Sequence, residues 1–203
     1  MTNGHYVCAM KRKINREDIL NTGLQLMFLN GYNATSIKDI TESIKIPKGS
    51  FYNHFTNKEE FALEMVKMYC DNGFKMYERR FLNNDLEPLE RIKGFFDTLI
   101  EVYENEMNFK LGCIMGNFST ELSDTNESFR VLLDEEFNRL EYVIALCIEE
   151  AQNNNSLPKN INPKQVAAFI LNSWHGAMLR MKTTGNSKPL EDCRDLILNK
   201  ILV

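Results

Sequence analysis

Between Lys48 and Phe55 the chain gathers Lys48, Gly49, Ser50, Tyr52, Asn53 and His54, with Phe51 and Phe55 as the apolar members. Lys and His supply positive charge. Ser, Tyr and Asn supply neutral donors and acceptors, and Gly49 lets another backbone come close. On a helix this face suits phosphate oxygens and base edges in the major groove of a duplex, which one helix can enter. It equally suits a solvated helical corner. Cys113, His175 and Lys182 form a second set. A thiol is nucleophilic as its thiolate, and a nearby cation raises the thiolate fraction. A Cys113 nucleophile with His175 or Lys182 as base would be the least an enzyme needs, but no motif surrounds them and no catalysis is expected. Free Cys is also a common core residue, as is a hydrogen-bonded His beside Trp174. Cys8, Cys70, Cys113, Cys147 and Cys193 are widely spaced without Cys-x-x-Cys, and His5, His54 and His175 lack ligand-spaced neighbours. No disulfide framework, metal or cofactor is expected.

The elements that must position these groups read as helices. Apolar residues recur every three or four positions, and no strand-like alternation persists beyond a few residues. Asn15 is expected to cap a first helix, with Glu17 and Asp18 in its first turn, Ile19, Gly23, Leu26 and Met27 inward and Gly31 at its end. Ser36 opens a second helix striped by Ile37, Ile40 and Ile44. Lys45-Ile46-Pro47 breaks the pattern, since the residue before a proline resists helical geometry. Lys48 to Phe55 then forms a third helix. Two short helices about a tight break make a helix-turn-helix, locked by Ile40, Ile44, Ile46 and Phe51. Asn57 with Glu60 opens a fourth helix through Phe61, Met65, Met68 and Tyr69 towards Phe81. The second half predicts five more: one from Pro88, a short one around Cys113–Leu122, a long one from about Ser128 to Gln152, one from Asn162-Pro163 to about Lys182, and one from Pro189 to the C-terminus. The expected fold is all-α with about nine helices: a three-helix head with a helix-turn-helix at 10–58, a linking helix at 58–82 and a helical body at 83–203.

With 43% hydrophobic and 26% charged residues in 203, the chain can bury a real core and is not disordered. No apolar run reaches the ~18–20 residues of a membrane helix, so no membrane association is expected. Nor is an apolar leader visible near Met1. With its cysteine usage, this predicts a reducing, cytoplasmic setting. Met10 could be the true start, just before the basic arm Met10-Lys11-Arg12-Lys13. The formal net charge is −4, but residues 1–60 hold eight Lys and Arg against six Asp and Glu, whereas 61–203 hold sixteen against twenty-two. A mildly basic end on an acidic body suits a protein that touches phosphates at one end.

The helix from Pro163 carries two apolar stripes, Ala167, Ile170, Trp174, Ala177, Met181 and Ala168, Leu171, His175, Met178, Lys182. One could meet a partner and the other its own core. The last helix offers Leu190, Cys193, Leu196 and Ile197. Met and aromatic residues, 10 Met, 13 Phe and 7 Tyr, suit an adaptable apolar pocket as well as an ordinary core.

The run Thr35-Ser36-Ile37-Lys38-Asp39-Ile40, followed by Ile46-Pro47-Lys48-Gly49-Ser50-Phe51-Tyr52-Asn53-His54-Phe55-Thr56-Asn57-Lys58, resembles the DNA-binding head of the TetR/AcrR repressor family over about residues 14–74. Gly49, Tyr52, His54, Phe55 and Lys58 fall at the family spacing. The resemblance implies phosphate contacts from Thr35, Ser36, Lys48, Tyr52, His54 and Lys58, and base contacts from Lys48, Ser50 and Asn53, with Gly49 at the interface. Thr41 and Ile44 replace customary alanines. Lys45 stands where the family has a turn glycine, which predicts strain if φ is positive there. Pro47 replaces a capping serine. The resemblance further implies that 83–203 is a ligand-binding and dimerisation domain, its dimer interface made by the last two long helices.

Leu111-Gly112-Cys113-Ile114-Met115-Gly116-Asn117-Phe118 is similar to the Gly-Cys-Leu segment of a TetR subgroup that includes repressors of electrophile and reactive-chlorine detoxification. In that subgroup the Cys can act as sensor, assisted by a Lys near the end of the penultimate helix. Cys113 and Lys182 match. Candidate ligand contacts are Cys113, Met115, Phe118, Trp174, His175, Met178 and Lys182. The resemblance implies a homodimeric transcriptional repressor that binds a near-palindromic double-stranded DNA operator and is released by a small-molecule inducer or electrophile. A family-like protein acting through its body, without DNA binding, is the alternative.

Overall fold

The computed structural model describes residues 14–83 and 85–203. The arm Met10-Lys11-Arg12-Lys13, and with it the question of Met10 as the start, lies outside the described residues. Among these residues there are nine α-helices and no strand: α1 (Arg16–Asn30), α2 (Ile37–Ser43), α3 (Lys48–Tyr52), α4 (Lys58–Phe81), α5 (Pro88–Asn105), α6 (Ile114–Leu122), α7 (Glu127–Asn153), α8 (Pro163–Thr184) and α9 (Lys188–Leu196). None is long and apolar enough to cross a membrane.

Side-chain caps set several helix starts. Asn15 and Asp18 form a reciprocal capping box on α1, as do Ser36 and Asp39 on α2. Asn57, Asn126 and Asn162 accept first-turn N–H groups of α4, α7 and α8. Each cap satisfies donors that the helix itself leaves open. At the Asn57 cap, Glu60 turns to the Thr56 N–H and hydroxyl instead of completing a box.

In the head, α1 lies so close to α4 that a Cβ on Gly23 would stand 2.2 Å from Cζ of Phe61. Phe51, Phe55 and Phe61 form a buried cluster with ring centroids 4.9–5.2 Å apart. α3 is shorter than its pattern predicts and ends at Tyr52. The Asn53 and His54 N–H groups return to Gly49 and Phe51, and the chain then turns to seat Phe55 in the cluster and cap α4 at Asn57. Lys45 takes φ 56° in the break and Pro47 gives α3 no side-chain cap, as the sequence suggests.

α4 runs from the head into the body, packing on α1 at one end and on α5 and α7 further along. α7 and α8 are packed against each other, with α9 on α8. The last helix does not remain α-helical to the end: beyond Leu196 the chain makes a π-helical turn over Ile197–Ile201. On α8, the stripe Ala167, Ile170, Trp174, Ala177, Met181 is buried within the protomer, and so are Leu171 and Met178 of the second stripe. The first stripe is therefore taken up by the molecule's own core, while in the second Ala168 and His175 are half-buried and Lys182 is exposed. The exposed apolar groups lie on a third face, where Phe169 is 50% and Leu179 64% exposed, with Asn172 and Gly176 between them. On α9, Leu196 is 59% exposed, while Leu190 and Ile197 are buried.

Candidate nucleic-acid interface and effector cavity

Burial of Phe51 orients α3. With that ring turned inward, Lys48, Gly49, Tyr52, Asn53 and His54 are exposed and Ser50 is half-buried. The Lys48 ammonium lies 5.9 Å from the Tyr52 ring centroid, so cation and phenol share one surface. The structure thus brings together six of the nine sequence-expected contacts. Ser36 is exposed at the start of α2, but its hydroxyl and N–H both donate to the Asp39 carboxylate, which holds that carboxyl below its usual range. Thr35 requires a correction. It is buried, and its hydroxyl donates to the Gly31 carbonyl at 2.8 Å, so its side chain anchors the α1–α2 turn and is turned away from any phosphate. Lys58 is half-buried with its ammonium 4.2 Å from the Tyr32 ring centroid, and burial lowers its pKa against the pull of Glu121 and Asp39.

Lys58 leads to a junction that the sequence does not announce. The Glu121 carboxylate, at the end of α6, accepts the Tyr32 N–H at 2.9 Å and the Asn33 N–H at 2.6 Å. Tyr32 sets its ring edge-on against Phe118 and Phe129, at 6.0 and 5.4 Å. α6 is thereby fastened to the α1–α2 turn. Phe118, expected to touch ligand, belongs to this aromatic joint and does not line the cavity.

Cys113 stands at the other end of α6, as its N-cap. The backbone before it is unusual: Asn108, Phe109, Leu111 and Gly112 all have positive φ. Such strain persists only where the surroundings enforce it. At Gly112, with φ 77°, a Cβ would also stand 3.2 Å from Cδ of Lys182. Cys113 opens onto a cavity of about 220 Å³ between α4, α5, α6, α7 and α8. Of the candidate ligand contacts, Met115, Trp174, His175 and Met178 line it with Cys113, joined by Tyr69, Tyr77, Tyr103 and Glu136, which the sequence reading does not include. The Trp174 indole N–H is buried without an acceptor. Burial raises the pKa of all three tyrosines, so they stay protonated donors.

Within this cavity His175 and Cys113 lie side by side in the lining. Burial alone would raise the thiol pKa, but the imidazole, together with the Gly116 and Met115 N–H groups, outweighs it and the net shift is downward. The imidazole is shifted up, because the thiolate outweighs its own burial. His175 Nδ1 lies 2.8 Å from the Leu171 carbonyl, which holds the ring with its other nitrogen available to the thiol. Lys182 is exposed and shares an adjoining cleft with Cys113 and His175. It is the imidazole, not the ammonium, that lowers the thiol pKa. Cys147 and Cys193 are pushed up to about 12 and about 11 by burial, and Cys70 higher still. Among the described cysteines, Cys113 is the one whose thiol pKa is shifted downward.

No group of metal-ligating side chains occurs among the described residues. Residues 19–65 match the family described as bacterial regulatory proteins, tetR family, and residues 88–197 match the tetracyclin repressor-like C-terminal domain. The HTH-type transcriptional repressor DhaR of Mycobacterium sp. (strain GP1) is 31% identical over 193 residues, covering 95% of each chain. The regulatory protein TetR from Rhodobacter sphaeroides superposes with a TM-score of 0.85 at 26% identity, covering 92% of this chain and 98% of that one. The reduced form of NemR from Escherichia coli gives 0.83 at 25%, covering 90% and 94%. The chain belongs to the TetR family of helix-turn-helix transcriptional regulators.

Proposed function

We propose that the protein is a homodimeric repressor whose α3 helices enter successive major grooves of a near-palindromic operator, and that chemistry at Cys113 releases it. The outward polar face of α3 carries this reading. Lys48, Tyr52 and His54 would hold phosphates, and Ser50 and Asn53 would reach base edges. Two heads must sit about one helical turn apart, ~34–36 Å, to read both half-sites. That DhaR and NemR are named repressors supports repression over activation.

The release signal is a small apolar electrophile or a non-covalent inducer of the same size. An α,β-unsaturated carbonyl would form a C–S bond at its β-carbon with the Cys113 sulfur. The thiol proton, taken up by His175, would pass to the α-carbon of the resulting enolate. An adduct at the start of α6 would displace that helix, and Glu121 at its far end would carry the movement to Tyr32 and Asn33. Operator and inducer then oppose each other reciprocally, because each favours a different head arrangement.

The test is a gel shift with a duplex from the protein's own promoter, across a salt series. A specific complex should weaken steeply with salt, as phosphate contacts require. It should be lost in Lys48→Ala combined with Tyr52→Ala, and dissolve after stoichiometric alkylation of Cys113. Absence of a sequence-specific complex at every salt concentration refutes the DNA reading. Persistence after complete Cys113 alkylation refutes the thiol signal alone.

A further inference from the structure

A second cavity, of about 290 Å³, lies where the end of α4 meets α5. Its polar wall is cationic: Arg79 and Arg80 from α4 and Arg91 from α5. Its apolar wall includes Met76, Leu86 and Phe95. Arg91 is completely buried, an arrangement that proteins rarely tolerate without partners. One terminal nitrogen donates to the Phe81 carbonyl at 2.7 Å and the other pairs with Glu150, but its Nε–H has no acceptor. Arg80 repeats the pattern. Its Nη2 donates to the Gly94 carbonyl and to the Thr98 hydroxyl at 3.1 Å, and its Nε–H is also buried without an acceptor. Gly94 makes the seat, since a Cβ there would stand 2.5 Å from Nη2. Neither Arg79 nor Arg80 has a carboxylate partner among the described residues.

Two buried, unanswered guanidinium N–H groups belong to residues lining one cavity, and of its three arginines only Arg91 has a carboxylate partner among the described residues, Glu150. A buried donor left unpaired costs about 1–3 kcal/mol, so a molecule that brings an acceptor gains what the protein forgoes. A planar carboxylate matches guanidinium geometry, and the apolar wall demands a hydrocarbon body. We propose that this cavity is a second effector site, distinct from the Cys113 cavity, for a small carboxylate with an apolar chain or ring. The two cavities share Met76 and Leu99 as walls. The second site thus adjoins the first but keeps its own arginine wall, and it lies on α4, the helix joining body to head.

Isothermal titration of the full chain with octanoate tests the proposal without any operator. Octan-1-ol and inorganic phosphate serve as probes lacking the charge and the chain respectively. Saturable binding of one octanoate per chain, with neither control binding, is expected. Arg80→Gln should weaken it at least about tenfold. Leu86→Glu, an exposed position that puts a repelling charge at the mouth, should do the same and guards against misfolding of the arginine variant. Met115→Trp, which fills the Cys113 cavity, should leave octanoate binding within about threefold. Equal binding of octan-1-ol, or octanoate affinity that falls with Met115→Trp but not with Leu86→Glu, would overturn the proposal, as would no saturation in the millimolar range.

Discussion

At Lys45 the chain keeps a side chain where the turn requires φ 56°. The left-handed region costs an L-residue roughly 1–2 kcal/mol, part of which a glycine gives back as lost chain entropy. Lys45→Gly should therefore stabilise the protein by about 0.5–1 kcal/mol, read as a rise of a few degrees in thermal midpoint. This strain is legible through the family resemblance, which sets Lys45 where a turn glycine is customary, and not from the residues of the turn by themselves. For Cys113 the sequence leaves His175 and Lys182 as alternative partners, because which of them comes near the thiol depends on how distant helices pack. The consequence of His175 beside the thiol has a definite sign. A thiol pKa lowered by His175 keeps the thiolate populated below the pH at which a free cysteine ionises, so iodoacetamide should modify Cys113 ahead of the other described cysteines. In His175→Phe, burial is opposed only by the Gly116 and Met115 N–H groups, and the thiol pKa should move up. The alkylation rate at pH 7 should then fall about tenfold or more, and the midpoint of its pH profile should move upward. Peptide mass spectrometry after timed quenching reads both.

Among the elements, α6 is the short lever between sensor and head. It starts at Cys113 and holds, through Glu121, two N–H groups of a turn 88 and 89 positions away in sequence. Hydrogen bonds to a charged acceptor are the stronger kind. Glu121→Ala should cost about 1–3 kcal/mol of stability. Glu121→Gln, whose amide oxygen can still accept one bond, should cost less. The informative measurement is the operator affinity of Glu121→Gln before and after Cys113 alkylation. If α6 transmits the signal, the ratio of the two affinities should shrink relative to the parent protein; an unchanged ratio would place the transmission elsewhere. Helix positions were readable from asparagine and serine caps and from Pro88 and Pro163, because those signals act within one turn. Glu121, the cavity tyrosines and the inward-turned Thr35 were not, because each is defined by a neighbour far along the chain.

For the whole molecule, the decisive question is what covers the third face of α8. Reading by continuous apolar stripes selects the two faces that the protomer itself wholly or partly buries, and passes over Phe169 and Leu179 because Asn172 and Gly176 interrupt them. Gly176 has no heavy atom of the protomer within 4 Å of where its Cβ would be, so a second helix can approach there. Leu196 on α9 adds a further exposed apolar group. A dimer built on α8 and α9 would cover all of them. Leu179→Glu combined with Phe169→Glu removes the apolar contact and places like charges opposite each other across the two-fold axis, while leaving the protomer core untouched. Analytical ultracentrifugation should then find a folded monomer, with helical content unchanged by circular dichroism. Operator affinity should fall by about 10²-fold or more, because two linked heads bind one duplex as a single bivalent unit and a lone head does not. Retention of the dimer in this double variant would assign the interface to another surface. Retention of full affinity by the monomer would show that one α3 suffices, and would remove the reason for a palindromic operator.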